Sequence, residues 1–453
     1  MKITVFGCGY VGLTTAVGLA EMGNEVLGID VDVEKISLLE QGVVHFYEPG
    51  LQEMLLRQIT EGRLTFSNDP KLGIESSNVI FSAVGTPPLK DHYADLSAVL
   101  SVAEEFKKYA KGEKIFINKS TVPIGTSDKI MEIIAQKKSA GDVFDVVSNP
   151  EFLREGTALQ DFFEPDRIVV GLYENSPHLQ KIMKKLYRPM IEKGVPILFT
   201  DIRSAEVIKY ASNAYLATRL SFINELANFC ENTGADIQNV RQGVGLDKRI
   251  GTHFFQPGIG FGGSCLPKDL NALIEMAKQS GFELKVMEAA QKVNLQQPYK
   301  LIQALNKVFP SLKGKTIAIW GASFKPGTDD LRDAPSLPIM NELLQAGAKL
   351  QVYDPVSLQK LQKIFGKKLV YSNDYYSSLQ ESSALLLLTE WDEFRNPDFA
   401  KMKSLMAEHY IFDGRNIFDR EEVEKQGFFY YGIGSLSPER KLKSKRSRVK
   451  LGL

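Results

Sequence analysis

The sequence predicts an α/β protein with two doubly wound parallel-sheet domains joined by a long central helix and a helical connector. Three observations predict it. Short apolar runs alternate with helix-period segments from residue 2 to about 200, the pattern returns at 315–354, and a continuous helical pattern near 204–233 lies between them. At 453 residues the chain is too long for one core. The expected divisions are 1–200, 201–305, 306–435 and a terminal segment 436–453.

In chain order, an apolar strand at 2–6 runs into Gly7-Cys8-Gly9-Tyr10-Val11-Gly12, then a helix with Leu13, Ala16, Leu19 and Ala20 closing at Gly23. A second strand, 25–29, ends in Asp30. This is GxGxxG in its required setting: the turn and helix N-terminus face a pyrophosphate, and the acid takes a ribose diol. Asp30 would repel a 2′-phosphate, which favours NAD over NADP. The first domain is therefore expected to be Rossmann-like.

Further strands are expected at 79–84, 115–118 and 145–148, ending in Gly85-Thr86, Lys119-Ser120-Thr121 and Asn149-Pro150-Glu151. Strand C-terminal ends are where open α/β sheets bind ligands. Asn149 as cap and Pro150 as first residue would start a helical turn with Glu151 and Glu155 on one face. In the central helix, Ile208, Ala211, Tyr215, Phe222, Leu226 and Cys230 form the expected apolar stripe, with Lys209 and Asn213 beside it. Residues 315–354 repeat the opening plan (strand 316–320, Gly321, helix 338–345, strand 349–353, Asp354), but Phe324 to Arg332 replace GxGxxG. Lys325 and Arg332 in that insertion suit the phosphates of a second nucleotide.

Gly258 to Asp269 reads GIGFGGSCLPKD. Pro267 and Asp269 suit a first helical turn, which sets Cys265 at a helix mouth, where a thiolate is favoured, with Lys268 nearby. Three cysteines without a CxxC pair argue against disulfides and structural zinc, and no metal site is expected. Acids and bases balance at 55 each, so no overall field draws nucleic acid. The exception is seven basic residues at 440–450, read as a solvated tail. The N-terminus reads as a strand, and no apolar run is long enough for a membrane span, which makes cytoplasmic the default.

Together, GCGYVG (7–12), VGTPP (84–88), KSTVPIGT (119–126), NPEFLREG (149–156), EVIKYASNAYLA (206–217), GFGGSCLPKD (260–269) and FKPGTDDLRDAP (324–335) resemble the nucleotide-sugar 6-dehydrogenases of the UDP-glucose/GDP-mannose dehydrogenase family. Ser264 before Cys265 and Leu-Pro-Lys-Asp after it are more similar to the members acting on UDP-glucose or GDP-mannose than to those acting on N-acetylhexosamines. The resemblance implies NAD-dependent four-electron oxidation of UDP-glucose, with GDP-mannose oxidation or a non-catalytic sensor as rivals. It assigns Cys265 as nucleophile and Lys209, Asn213, Asp269, Glu151 and Thr121 as its catalytic partners. For NAD it implies Gly7, Gly9, Tyr10, Val11, Gly12, Asp30, Lys35, Thr86, Thr121, Glu155, Lys268 and Arg332. For the UDP-sugar it implies Glu151, Phe152, Leu153, Lys209, Asn213, Phe254, Phe255, Gln256, Pro257, Gly258, Phe261, Gly262, Lys325 and Arg415. Arg249 is implied to reach the sugar of a neighbouring subunit in a homodimer.

Overall fold

The computed structural model describes residues 1–90, 92–137 and 139–435. The basic segment at 440–450 lies outside the described residues. The chain forms two compact units: Met1–Ser212 with Asn271–Phe282, and Asn213–Leu270 with the chain from Glu283.

The first unit is built on eight strands: β1 (Lys2–Phe6), β2 (Glu25–Ile29), β3 (Leu64–Ser67), β4 (Val79–Ser82), β5 (Glu113–Asn118), β6 (Val143–Ser148), β7 (Ile168–Leu172) and β8 (Ile197–Asp201). Their order is β3-β2-β1-β4-β5-β6-β7-β8, parallel throughout except at β6–β7. Strands buried on both faces read as continuous apolar runs, and β4 is buried at every position. Strand order reverses between β1 and β4, so the crevice of a doubly wound sheet opens at the end of β1.

The second unit carries β9 (Thr316–Trp320), β10 (Lys349–Tyr353), β11 (Leu369–Tyr371), β12 (Ala384–Leu387), β13 (Tyr410–Asp413) and β14 (Phe429–Gly432). They pair in the order β11-β10-β9-β12-β13-β14, all parallel. Two apolar layers cover its faces, one centred on Ile317, Ile319 and Leu386 and the other on Trp320, Leu385 and Phe394.

Two expectations change. The helix Ile202–Thr233 exists, but the stripe assigned to its core side is largely outside: Tyr215 is 59% and Phe222 51% exposed. The buried face carries Lys209, Tyr210, Asn213, Ala214, Ala217, Ser221, Asn224 and Ala227, with Cys230 closing it. Small and polar residues make up most of the interior face, with Tyr210 and Ile223 buried among them, while Tyr215, Phe222 and Phe229 face out, which departs from the usual amphipathic reading. Nor does Asn149 start a helix: residues 149–154 are irregular, and the next helix is Ala158–Phe163. The Asn149 side chain is engaged elsewhere, donating to the Val169 carbonyl and accepting from the Tyr187 hydroxyl.

Candidate functional site

The turn after β1 is shaped by contacts a side chain would break. A Cβ on Gly12 would fall 1.7 Å from the Gly7 carbonyl oxygen, whereas one on Gly9 would meet nothing within 4 Å. Gly12 therefore packs helix against turn, and Gly9 leaves the surface above the helix open to a pyrophosphate. The helix Tyr10–Glu21 has no side chain capping its N-terminus, so its leading amides suit an anion. Asp30 accepts the Cys8 amide at 2.8 Å, the Asp32 amide at 3.0 Å and the Lys35 ammonium at 2.9 Å. Burial opposes its ionisation, but the Lys35 bond and the two amides hold its pKa below the usual range. A carboxylate has about four acceptor positions, so one remains for a hydroxyl. This donor and acceptor set fits NAD.

The same unit gathers a buried charged cluster. Lys209 donates to Glu151 at 2.9 Å with both side chains almost wholly buried, and Glu151 also accepts the Leu153 amide at 2.6 Å. Burial pushes Glu151 up, yet Lys209, that amide and Lys119 keep it below the ordinary glutamate value. Phe152 lies under Arg167 (3.7 Å to the ring centre) and near Lys209 (5.4 Å). Thr86 donates to the Thr121 carbonyl at 2.8 Å, joining the ends of β4 and β5. Glu155 is buried at the turn before Gly156. That turn is fastened by Glu48, which accepts the Gly156 and Ala158 amides at 2.6 and 2.7 Å and the Tyr10 hydroxyl.

In the second unit, Cys265 immediately precedes the helix Leu266–Gln279, and its carbonyl accepts the Asp269 amide at 2.8 Å. The thiol is half-buried, with the Ser264 hydroxyl 3.5 Å from its sulfur. Asp269 is buried and takes Asn213 at 2.6 Å and Lys268 at 2.7 Å. Lys268 thus shares its charge with Asp269.

The loop glycines serve the protein's own backbone. Gly263 has φ +87°, and a Cβ on Gly262 would meet the Asp333 carbonyl oxygen at 2.2 Å. Asn224 accepts the Gly258 amide, and Gln297 donates to the Gly258 carbonyl. Asn294 brackets Phe261, accepting its amide and donating to its carbonyl. Arg415 donates to the carbonyls of Gly260, Phe324 and Leu388, so three of its five N–H groups tie this loop to the 324–332 insertion and to the end of β12.

Phe255 is buried beneath Arg219, and Phe254 adopts a left-handed φ of +52°. Asn416 ties the neighbouring pair, accepting Gln256 at its carbonyl and donating to Pro257. Arg332 is clamped to Asp330, and Lys325 lies 5.5 Å from the Phe324 ring centre. Arg249 stands out in solvent, paired with Asp247. The sequence reading missed Lys119, Arg167 and Glu48 as site-forming groups.

A chain that carries one domain fitted for NAD and a second domain of nucleotide-binding type, with a thiol at a helix mouth, is an NAD-dependent oxidoreductase whose substrate is itself a nucleotide derivative. Family models for the NAD binding, central and UDP binding domains of the UDP-glucose/GDP-mannose dehydrogenase family match residues 1–191, 203–296 and 318–420. The chain is 44% identical over 434 residues to UDP-glucose 6-dehydrogenase TuaD of Bacillus subtilis, covering 96% of this chain and 93% of that one. It is 42% identical over 444 residues to UDP-glucose 6-dehydrogenase of Pseudomonas aeruginosa, covering 96% and 97%. The solved UDP-glucose dehydrogenase of Pyrobaculum islandicum superposes with a TM-score of 0.88 at 36% identity, covering 96% of this chain and 98% of that one. This chain belongs to the UDP-glucose/GDP-mannose dehydrogenase family. Among the described residues no helix is long and apolar enough to cross a membrane.

Proposed function

We propose that the protein oxidises UDP-glucose to UDP-glucuronate in two two-electron stages, consuming one water. NAD, held by Gly7, Gly9, Tyr10, Val11, Gly12, Asp30, Lys35, Thr86, Thr121 and Glu155, with Lys268 and Arg332, supplies the hydride acceptor at each stage. Glu151, with Thr121 and a water, takes the carbinol proton. Cys265 adds to the resulting aldehyde as a thiohemiacetal, and after the second oxidation water cleaves the thioester. Lys209 and Asn213 stabilise the oxyanions, and Asp269 orients Asn213. Phe152, Leu153, Phe254 to Gly258, Phe261, Gly262, Lys325 and Arg415 receive the UDP-sugar.

The single observation that supports covalent catalysis is the half-buried thiol beside a helix N-terminus, next to the Asp269–Asn213 pair. The substrate assignment is supported by the near-full-length similarity to UDP-glucose 6-dehydrogenases. We further propose a homodimer: Tyr215, Phe222 and Phe229, seven residues apart, line one exposed helix face, and Arg249 projects into solvent where a partner's sugar site could take it.

The test is NADH release over a panel of nucleotide sugars. UDP-glucose should yield two NADH per sugar, and Cys265→Ser should lower turnover by about three orders of magnitude or more. One NADH per sugar, or a Cys265→Ser enzyme of near wild-type rate, would sink the covalent reading. Turnover confined to GDP-mannose would transfer the assignment to that sugar, and NAD binding without any turnover would leave a sensor.

A further inference from the structure

Lys119 follows β5 with only 6% of its surface exposed. Its amide is fixed to the Ser82 carbonyl at 2.8 Å, and among the described residues its ammonium reaches only the Asn149 side-chain oxygen, at 3.4 Å. That oxygen already accepts the Tyr187 hydroxyl at 2.5 Å. A buried ammonium with one long bond to a shared amide oxygen is a costly arrangement, and proteins keep few of them without a use. The charged groups acting on it are Glu151 from the 149–157 segment and Lys209 from the central helix, so two cations share one carboxylate. Tyr187 contributes a phenol that burial keeps neutral.

We propose that Lys119 is a positioning residue for the Glu151–Lys209 pair, its charge deciding how readily the site accepts the proton released when the carbinol is oxidised. This rests on the oxidation proposed above. Each oxidation breaks one C–H and one O–H bond and forms C=O. The hydride leaves with both electrons for NAD, and the O–H proton stays on the protein. With Lys119 charged, the three groups carry a net +1 and must rise to +2; with Lys119 neutral, they rise only from 0 to +1. Like-charge repulsion in a buried site makes the second case easier. Burial pulls the Lys119 pKa down to about 8, with Glu151 pulling back and Lys209 adding to the fall. The change of state therefore falls within an ordinary assay range.

The experiment compares wild type with Lys119→Met and Lys119→Arg for kcat from pH 7 to 9 and for thermal stability of the protein alone from pH 7 to 10.5. A group titrating near 8 is about one-eleventh neutral at pH 7 and about ten-elevenths at pH 9. The ratio of wild-type to Lys119→Met kcat should therefore rise about tenfold across that range, with the Met variant holding the faster rate at pH 7. Lys119→Arg, which cannot lose its charge, should stay slow throughout; if arginine does not fit, the Met variant carries both readouts.

The stability sign is independent of catalysis. The folded pKa lies below the 10.5 of an ordinary lysine, so the unfolded chain binds more protons between pH 8 and 10.5, and wild type gains stability there as pH rises. Lys119→Met should thus be the more stable protein at pH 7, with the gap narrowing above pH 8. A kcat ratio unchanged from pH 7 to 9, or a stability gap that does not narrow, overturns the proposal. A wild type that releases no NADH from any nucleotide sugar overturns the function proposed above, and the stability profile still decides whether Lys119 titrates.

Discussion

The turns after β1 and β9 begin identically and end with different tasks. Gly7 donates to the Ile29 carbonyl at 2.7 Å, and Gly321 to the Tyr353 carbonyl at 2.8 Å. One residue on, Asp30 accepts the Cys8 amide and Asp354 the Ala322 amide, both at 2.8 Å. There the likeness stops. In the first turn a helix starts at Tyr10, so its amides point at whatever lies above the sheet edge. In the second, the helix waits until Ser336, and Asp354 is filled from within by the amides of Ser323, Val356 and Ser357, the Ser323 hydroxyl and the Trp391 indole. A carboxylate with six donors has nothing left for a ribose. The second unit has kept the architecture of a dinucleotide site while turning its acid into a structural rivet, and its ligand groups must come from the 324–332 insertion instead.

The sharpest way to break that comparison is to truncate both acids. Asp354→Ala strands five N–H groups in a site 1% exposed and should cost about 3–5 kcal/mol of stability, read as a lower denaturant midpoint. Asp30→Ala should act chiefly on the cofactor: losing a charge-assisted bond weakens NAD binding by about 10–100-fold and relaxes the preference over NADP, measurable by calorimetry. If Asp354→Ala lowered NAD affinity and left folding intact, the division of labour drawn here would be wrong.

The sequence disclosed this architecture unevenly, for physical reasons. β1, β2, β9 and β10 are short, largely apolar segments each closed by a glycine or an aspartate, and the expected ends coincide with the observed ones. β3, β7, β8, β11 and β14 were not expected. β8 is half-exposed along its length and β11 is three residues long, so neither writes an apolar run. The central helix misled because two of its faces are apolar in composition, and the rings of Tyr215 and Phe222 offer far more apolar side-chain area than the alanines that are buried instead. Cys265 at a helix mouth was legible from Pro267 and Asp269. Lys119 was not, because a lysine after Ile117-Asn118 reads the same whether it is solvated or buried. Its partner Asn149 was read as a helix cap. Only the fold shows that β5, β6 and the central helix bring these side chains to one place.

The smallest test separates the two acids by their partners' charge. Asp30 has an ammonium, Lys35, whose side chain is 23% exposed, whereas Asp354 is bonded by neutral donors alone. A partly exposed ion pair contributes about 1 kcal/mol or less and is screened by salt. Lys35→Met should therefore lower stability slightly at pH 7 in dilute buffer, and the loss should shrink as salt is raised toward about 0.5 M. Because the Asp30 pKa is held below its ordinary value, this contribution is present above the usual aspartate range and is lost as pH falls through the folded value. The deficit of Asp354→Ala should keep its size across the same salt series, since desolvated neutral donors are not screened. A Lys35→Met deficit that ignored salt would mean that the lysine stem, packed beside the turn, holds Asp30 in place and that the charge contributes little.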